Sequence, residues 1–248
     1  MTGVLVLGGT GDARRLASLL VRSFDVVSSL AGRVREPLLP PGRVRVGGFG
    51  GVPGLVSYLR AEGIAAVVDA THPFASGMTA NAALACAEVG IPLIVVQRPG
   101  WEAAPGDHWV RVPSLIDAAR VLPQYGRRVF LTTGAQGLDA FAECGDQWFL
   151  IRTVDEPTGR LPPHSEVLLA RGPFTLADER ALLREWRIDV VVTKDSGGAA
   201  TYPKLEAARE RGLPVLMVTR PELPPGLLTV PTADGAHRWL VAALGENN

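Results

Sequence analysis

Short apolar runs rich in β-branched residues alternate along this chain with segments of helical periodicity, and a turn follows each run. Most of the runs are continuously apolar rather than alternating, which is typical of strands buried on both faces of a parallel sheet. Because parallel neighbours are joined by crossover helices, the pattern predicts an α/β fold built from βαβ units. The runs span residues 4–7, 26–30, 44–46, 66–69, 93–96, 129–131, 149–151, 189–192 and 215–218.

A segment of the first half recurs in the second half. Residues 82–99 align with residues 204–221, and seven of the eighteen pairs are identical. Two shorter matches at nearby shifts are residues 4–6 with 129–131 and residues 112–114 with 230–232. The last match places a Ser or a Thr where each would cap a closing helix. We interpret the repeat as a tandem duplication, although the glycine and proline punctuation shared by all βα units is an alternative explanation.

The duplication predicts two tandem Rossmann-like domains with parallel sheets, residues 1–125 and 126–248, with a boundary near Tyr125 and Gly126. Ligands of this architecture usually lie outside the carboxyl ends of the strands, so we expect a ligand cleft between the domains. The pairing of two short final strands, residues 109–112 and 228–230, stays open at this stage.

Composition excludes several classes of function. The 25 basic residues cancel the 25 acidic ones, so no overall field attracts nucleic acid or an anionic membrane. The two cysteines, Cys86 and Cys144, have no CxxC or metal-ligand spacing, and we therefore expect neither a disulfide framework nor a metal site. Without a secretory signal or a long apolar span, we expect a cytoplasmic protein.

A glycine-rich turn follows the first apolar run. Gly8, Gly9 and Gly11, with Thr10 between them, lead into a helical pattern, and such glycines let backbone N–H groups approach a phosphate at a helix N-terminus. Arg14 stands where the third glycine of a dinucleotide fingerprint is expected. We predict an anion site in which the Arg14 guanidinium takes part. The alternative is a tight turn with a surface arginine.

The second strand ends without a carboxylate. NAD sites usually have an acid there for the ribose hydroxyls, whereas this strand runs through Ser29 into Ala31, Gly32 and Arg33. Hydroxyls and an arginine suit the additional 2′-phosphate of NADP, so we predict NADP as the cofactor. Arg33 as a solvated loop residue is the alternative.

The fourth strand ends in a loop of defined shape. Thr71, His72, Pro73 and Phe74 follow it, and a His-Pro pair does not continue smoothly into a helix. We predict that this loop lies along the nicotinamide or its ribose. His72 is interpreted as a structural or cofactor-contacting residue rather than a general acid.

In the second half, the strand ends carry donors suited to carboxylates instead of a glycine turn. Ammonium, hydroxyl and free N–H groups all donate to a carboxylate, so an anionic substrate is predicted, against the alternative of a loop with a solvated lysine. The predicted substrate-binding residues are Arg98, Thr133, Gly134, Lys194, Asp195, Ser196, Gly197, Gly198, Tyr202 and Lys204. Arg98 as a strand cap remains an equal alternative.

The motifs taken together resemble one known family. They are Gly8-Gly9-Thr10 with Arg14, Ser29-Leu30-Ala31-Gly32-Arg33, Asp69-Ala70-Thr71-His72-Pro73-Phe74-Ala75, Thr132-Thr133-Gly134 and Lys194-Asp195-Ser196-Gly197-Gly198. In this order they are similar to the precorrin-6A reductase family of cobalamin biosynthesis. The resemblance implies NADPH-dependent reduction of one double bond of a polycarboxylate tetrapyrrole, precorrin-6A, to precorrin-6B, without a metal or a flavin. His72, Lys194, Tyr202 or water are the open choices for the proton donor.

Two other classes of function are weighed against this resemblance. A short-chain NADP-dependent oxidoreductase would need a Tyr-x-x-x-Lys pair, but Glu206 stands four residues after Tyr202. A non-catalytic NADP-sensing module would bind the cofactor without consuming it, so turnover separates a sensor from a reductase.

Overall fold

The computed structural model describes residues 1–245, which form two compact units. Unit 1 contains Met1–Pro99 and the chain from Pro221 onward, and unit 2 contains Gly100–Arg220. None of the helices in the described residues has the length and apolarity needed to cross a membrane.

The described residues contain twelve strands and seven α-helices, which alternate over only part of the chain. The strands are β1 (Gly3–Leu7), β2 (Asp25–Leu30), β3 (Arg43–Val46), β4 (Ile64–Asp69), β5 (Leu93–Val96), β6 (His108–Val112), β7 (Arg128–Leu131), β8 (Trp148–Thr153), β9 (Ser165–Leu169), β10 (Val190–Lys194), β11 (Pro214–Val218) and β12 (Leu228–Val230). The α-helices are α1 (Gly11–Leu20), α2 (Gly51–Ala61), α3 (Ser76–Val89), α4 (Leu115–Val121), α5 (Leu176–Glu185), α6 (Pro203–Glu210) and α7 (Ala233–Leu244).

Unit 1 has a parallel sheet in the order β12-β5-β4-β1-β2-β3. Helices cover both faces. On one face Leu16 of α1 and Leu240 of α7 are fully buried, and on the other Leu55 and Leu59 of α2 are buried. Double-sided burial explains why β1, β4 and β5 are largely apolar.

Unit 2 repeats this order with a parallel sheet β6-β11-β10-β7-β8-β9. Phe130, Leu150 and Val191 are fully buried in its core. The edge strand β9 was not predicted, because its residues are only partly buried or exposed and do not form an apolar run. The shared strand order is the order that a duplication predicts.

The sixth strand of each sheet comes from the other half of the chain. β6 follows β5 in sequence but pairs with β11, and β12 follows β11 but pairs with β5. The chain therefore divides at two points, after Pro99 and after Arg220, and not at the predicted boundary between residues 125 and 126. Local hydrophobicity identifies a strand but not its partner, which is why the sequence pattern misplaced the boundary.

The predicted caps of the closing helices are confirmed. The Ser114 hydroxyl accepts a hydrogen bond from the Asp117 amide at the start of α4. The Thr232 hydroxyl does the same for the Gly235 amide at the start of α7.

A close backbone approach fixes the helix that follows β3. A Cβ atom added at Gly54 of α2 would lie 1.7 Å from the carbonyl oxygen of Phe49. The Phe49 ring, so placed, makes an edge-on contact with Tyr58 at 5.2 Å between centroids. Only glycine allows this approach.

We expect Gly54→Ala to destabilise the protein because the added methyl group must displace backbone. Overpacking of this kind costs about 1–3 kcal/mol, which lowers the thermal midpoint of a chain of this size by about 2–12 °C. The measurement is thermal unfolding of the full chain. Gly77→Ala, in α3, is the matched control because nothing lies within 4 Å of a Cβ added there, and its midpoint should be unchanged or slightly higher. Equal midpoints for the two variants would contradict this account of α2.

Candidate functional site

The hydroxyl group of Thr10 joins two strand ends in unit 1. It accepts a hydrogen bond from the Ala13 amide at 3.1 Å, which caps α1. It also donates to the Ala70 carbonyl oxygen at 2.7 Å, just after β4. The carboxyl ends of β1 and β4 are thereby held together at the start of α1.

The glycines predicted to bind a phosphate lie at this helix start. The Gly8 amide donates to the Ser29 carbonyl oxygen at 2.9 Å, which adds the end of β2 to the same cluster. Gly9 has a φ of +106°, a conformation that side chains rarely adopt. A Cβ added at Gly9 would meet nothing within 4 Å, so the turn presents open backbone on its outer side.

Two arginines lie beside the first turn of α1. A guanidinium nitrogen of Arg14 is 3.8 Å from the position a Cβ on Gly11 would take, so this side chain lies over the turn. Arg98 forms an ion pair with Asp12 at 2.6 Å. The pairing offsets the acid that would otherwise oppose an anion at this helix N-terminus. The structure places Arg98 beside the glycine turn of unit 1, and its assignment to substrate binding stays a prediction.

The end of β2 is polar and buried. Ser28 and Ser29 are 2% and 7% exposed, and the Ser29 hydroxyl accepts a hydrogen bond from Arg45 at 2.9 Å. The Ser28 hydroxyl oxygen has no hydrogen-bond partner among the described residues. The loop after β2 is exposed at Ala31, Gly32 and Arg33.

Asp69 shapes the loop after β4. Its carboxylate, 1% exposed, accepts hydrogen bonds from the Thr71 amide at 3.0 Å and from the Thr71 hydroxyl at 2.7 Å. Its other oxygen accepts from the Thr79 hydroxyl of α3 at 2.5 Å. His72 is exposed, and its Nδ1 accepts from the Phe74 amide at 3.3 Å. Thr71, His72, Pro73 and Phe74 thus form the shaped loop that the sequence predicts.

Unit 2 differs from unit 1 after β7, the strand that takes the position of β1 in its sheet. Leu138–Phe141 form a single 3₁₀ turn where unit 1 has α1. Before it, Lys194 Nζ donates to the Thr133 carbonyl oxygen at 2.9 Å, and the Thr133 hydroxyl is buried without a hydrogen-bond partner in the described chain. Gly134, in the left-handed region at φ +78°, follows directly. Lys194, Thr133 and Gly134 therefore lie together, and their assignment to substrate binding stays a prediction.

Asp195 organises the loop after β10. One carboxylate oxygen accepts from the Trp101 amide at 2.9 Å, and the other accepts from Arg111 at 3.1 Å. Its backbone carbonyl oxygen accepts from Arg220 Nε at 2.7 Å. Asp195 is 6% exposed, so its carboxylate holds cations in place within unit 2. Its assignment to substrate binding stays a prediction.

The glycines that follow continue this loop. The Gly198 carbonyl oxygen accepts from the Trp101 indole at 3.0 Å, and Gly197 is buried while Gly198 is exposed. The Ser196 amide donates to the Lys194 carbonyl oxygen at 2.7 Å, which folds Ser196 back toward Lys194.

Tyr202 and Lys204 are engaged inside unit 2. The Tyr202 hydroxyl accepts from Arg209 at 2.6 Å, and Arg209 is paired with Asp107. Lys204 is 2% exposed, and its Nζ donates to the Thr201 carbonyl oxygen at 2.9 Å. These contacts do not favour the predicted role of the two side chains in substrate binding. From sequence alone, a lysine in the first turn of a helix is predicted to be exposed. Lys204 is buried because of the way α6 packs, which the sequence pattern does not indicate.

Burial sets the charge state of Lys204. Removal from water, together with the nearby Arg152 guanidinium, lowers the pKa of its ammonium group to about 7, and the Glu179 carboxylate only partly opposes this shift. Nζ also lies 4.8 Å from the centre of the Trp101 ring. Arg152 itself is paired with the buried Glu179 at 2.8 Å.

A protein-family model matches the part of the chain that contains all of these motifs. Residues 3–241 match the family described as precorrin-6x reductase CbiJ/CobK. The chain belongs to this family. The family resemblance read from the motifs is confirmed, and the chain is a reductase.

Individual members of the precorrin-6x reductase family are similar over nearly their whole length. A precorrin-6A reductase of Rhodococcus erythropolis is 57% identical over 242 residues, which cover 97% of this chain and 98% of the relative. A precorrin-6A reductase of Rhodobacter capsulatus is 47% identical over 242 residues, which cover 97% and 96%. A solved structure described as CobK precorrin-6A reductase is 46% identical, covers 99% of this chain and 98% of its own, and has a TM-score of 0.93. The predicted α/β fold with two Rossmann-like halves is confirmed.

Sequence reasoning missed Arg45 and Arg111 in this member of the precorrin-6x reductase family. Arg45 contacts Ser29, and Arg111 contacts Asp195. Both lie in short strands that contain two or more polar residues, and neither is near a motif in sequence. The signal that would have found them is the strand pairing, which brings β3 beside β2 and β6 beside β11.

Side chains of the types that bind metal ions do not cluster in the described residues. Among residues 1–245, no three His, Cys, Asp or Glu side chains come together in a way that would hold a metal ion.

We expect Lys204→Met to stabilise this reductase near neutral pH. The folded-state pKa of Lys204 is about 7 against an ordinary value of 10.5, so between these values the unfolded chain binds the additional proton. The stability of the wild type therefore rises with pH across this window by about 1.4 kcal/mol per pH unit from this group, and the methionine variant lacks that rise. Its advantage should be largest at pH 7 and below and shrink toward pH 10.

Urea unfolding of both proteins at several pH values measures this difference. Leu205→Met, in the same helix, is the control, because it removes no titratable group and its difference from the wild type should show no such dependence on pH. A Lys204→Met advantage that is constant from pH 7 to 10 would show that Lys204 does not titrate there.

Proposed function

We propose that this reductase is an NADPH-dependent precorrin-6A reductase that reduces one double bond of the macrocycle to give precorrin-6B in cobalamin biosynthesis. The observation that carries the proposal is the family match over residues 3–241. The precorrin-6A reductases of Rhodococcus erythropolis and Rhodobacter capsulatus support the same substrate.

The first turn of α1 fits the diphosphate of a dinucleotide. The first amides of a helix have no intrahelical acceptor, and Thr10 satisfies that of Ala13. The open backbone at Gly9 lets a phosphate approach the remaining N–H groups, and Gly8 and Arg14 complete the cradle. Since Arg98 neutralises Asp12, the local charge favours an anion.

The neighbouring strand ends fit the rest of the cofactor. No carboxylate stands at the end of β2, where Ser29, Ala31, Gly32 and Arg33 would hold a ribose with its 2′-phosphate. The loop from Thr71 to Phe74, held by Asp69, would hold the nicotinamide end. NADPH, when bound, supplies the hydride.

Unit 2 would hold the tetrapyrrole. Its substrate carries several carboxylates, and Lys194 with the free hydroxyl of Thr133 provides donors suited to them. Gly134, Ser196, Gly197 and Gly198 line the same strand ends. The contribution of these groups is to fix the position of the reacting ring carbon, because hydride transfer depends on geometry.

Anaerobic mixing of the protein with NADPH and precorrin-6A tests the function. We expect NADPH absorbance and the precorrin-6A spectrum to be lost in equal amounts, with NADH a much poorer donor. Tight NADPH binding without consumption would indicate a sensor or another substrate. Equal rates with NADPH and NADH would contradict the cofactor assignment alone.

We expect Lys194→Ala to weaken precorrin-6A binding more than NADPH binding. Loss of a desolvated ammonium partner costs about 2–5 kcal/mol, while the cofactor residues of unit 1 are untouched. Equilibrium titration with each ligand measures the two affinities. Arg160→Ala is the control, because it removes a positive charge from an exposed ion pair of unit 2. An equal loss for both ligands would place the Lys194 loop at the cofactor.

A further inference from the structure

Arg45 lies directly opposite Ser29 in the register of β2 and β3. Its Nη1 donates to the Ser29 hydroxyl at 2.9 Å and to the Gly47 carbonyl oxygen at 2.9 Å. Its Nη2 donates to the Gly48 carbonyl oxygen at 3.1 Å. The guanidinium is therefore fixed at the carboxyl end of β2, beside the proposed ribose site.

Aromatic packing fixes the plane of the same guanidinium. Its central carbon lies 3.8 Å from the centre of the Phe49 ring and 5.2 Å from that of Tyr58. Phe49 is itself held by the close approach of its carbonyl oxygen to Gly54. A guanidinium so placed needs little further ordering to bind a ligand.

The charge of Arg45 has no acidic partner. Within residues 1–245 the Arg45 guanidinium forms no ion pair with an Asp or a Glu, and its three hydrogen bonds go to neutral oxygens. Arg43, two residues earlier on the same face of β3, is paired with Asp25 at 3.4 Å and Glu62 at 2.5 Å. Carboxylates thus neutralise the charge of Arg43 but not that of Arg45, and an uncompensated positive charge is what favours binding of an anion.

Donor capacity also remains on Arg45. A guanidinium has five N–H donors, and three are used here by Ser29, Gly47 and Gly48. Both hydrogens of Nη1 are taken, which leaves Nε and one hydrogen of Nη2 for a ligand. This pair on one edge of the guanidinium is the arrangement that binds phosphate oxygens in a bidentate way.

We propose that Arg45 determines the preference for NADPH by binding the 2′-phosphate of the adenosine ribose together with Ser29. The proposal rests on the proposed function, because it requires the cofactor to lie at the ends of β1 and β2. Arg33, on the exposed loop after β2, is then an outer contact, and the ordered Arg45 supplies the discrimination between the two nicotinamide cofactors.

The experiment measures binding of NADP⁺ and NAD⁺ to the purified full chain by calorimetry, without substrate. For Arg45→Ala we expect the NADP⁺ affinity to fall about 10- to 100-fold and the NAD⁺ affinity to stay nearly constant, since charge-assisted hydrogen bonds are lost only with the phosphate. Arg43→Ala is the matched control and should keep the wild-type preference. In Arg45→Ala, 2′,5′-ADP should no longer compete with NADP⁺ for binding. Competition by 5′-AMP should remain.

Arg45→Lys keeps the positive charge but lacks the planar guanidinium, so it distinguishes the effect of charge from that of geometry. It also serves as a second variant if Arg45→Ala does not fold. It should recover part of the NADP⁺ affinity while keeping the thermal midpoint of the wild type. Equal weakening of NADP⁺ and NAD⁺ in Arg45→Ala, or an unchanged preference, would overturn the role of Arg45. A wild-type protein that binds neither nucleotide, or both equally, would instead overturn the cofactor part of the proposed function.

Discussion

The two hydrogen bonds of the Thr10 hydroxyl are the interaction on which the candidate site of unit 1 depends. One caps α1 and the other reaches the Ala70 carbonyl oxygen, so the ends of β1 and β4 are fixed relative to each other. From β1 the chain continues to β2 and β3 on one side, and it then returns to β4 on the other side of β1. Open α/β sheets form their ligand crevice at such a reversal of strand order. The glycine turn and the Thr71–Phe74 loop are therefore neighbours because of strand order, and Thr10 sets their distance.

The central strands could be predicted because burial on both faces leaves a clear sequence signal. Residues 129–131 and 215–218, for example, lie within β7 and β11. The edge strand β9 has no such signal, since its partly exposed residues need not be apolar. The exchange of β6 and β12 could not be predicted either, because each strand has the same local pattern whichever sheet edge it joins.

The candidate site was predictable in unit 1 to the extent that it depends on strand ends. Turn glycines, the missing acid after β2 and the loop after β4 are local features of sequence. Arg45 is not, since the alternation of arginine and valine in β3 treats it and Arg43 alike, and only pairing and ion-pair partners distinguish them. In unit 2 the burial of Lys204 depends on the packing of α6, which no local pattern reports.

The two units share one strand order, so the proposed difference in what they bind would arise after β1 in unit 1 and after β7, at the same sheet position, in unit 2. In unit 1 the ten residues of α1 provide aligned amides and a positive helix end, which suits a phosphate group. In unit 2 a four-residue 3₁₀ turn cannot supply that field, and the positive charge comes from the Lys194 ammonium at the neighbouring strand. A point charge on a flexible stem tolerates variation in where a carboxylate sits, whereas helix amides fix a phosphate closely. The proposal that unit 1 binds the cofactor and unit 2 binds the macrocycle rests on this difference between a helix N-terminus and a lysine side chain.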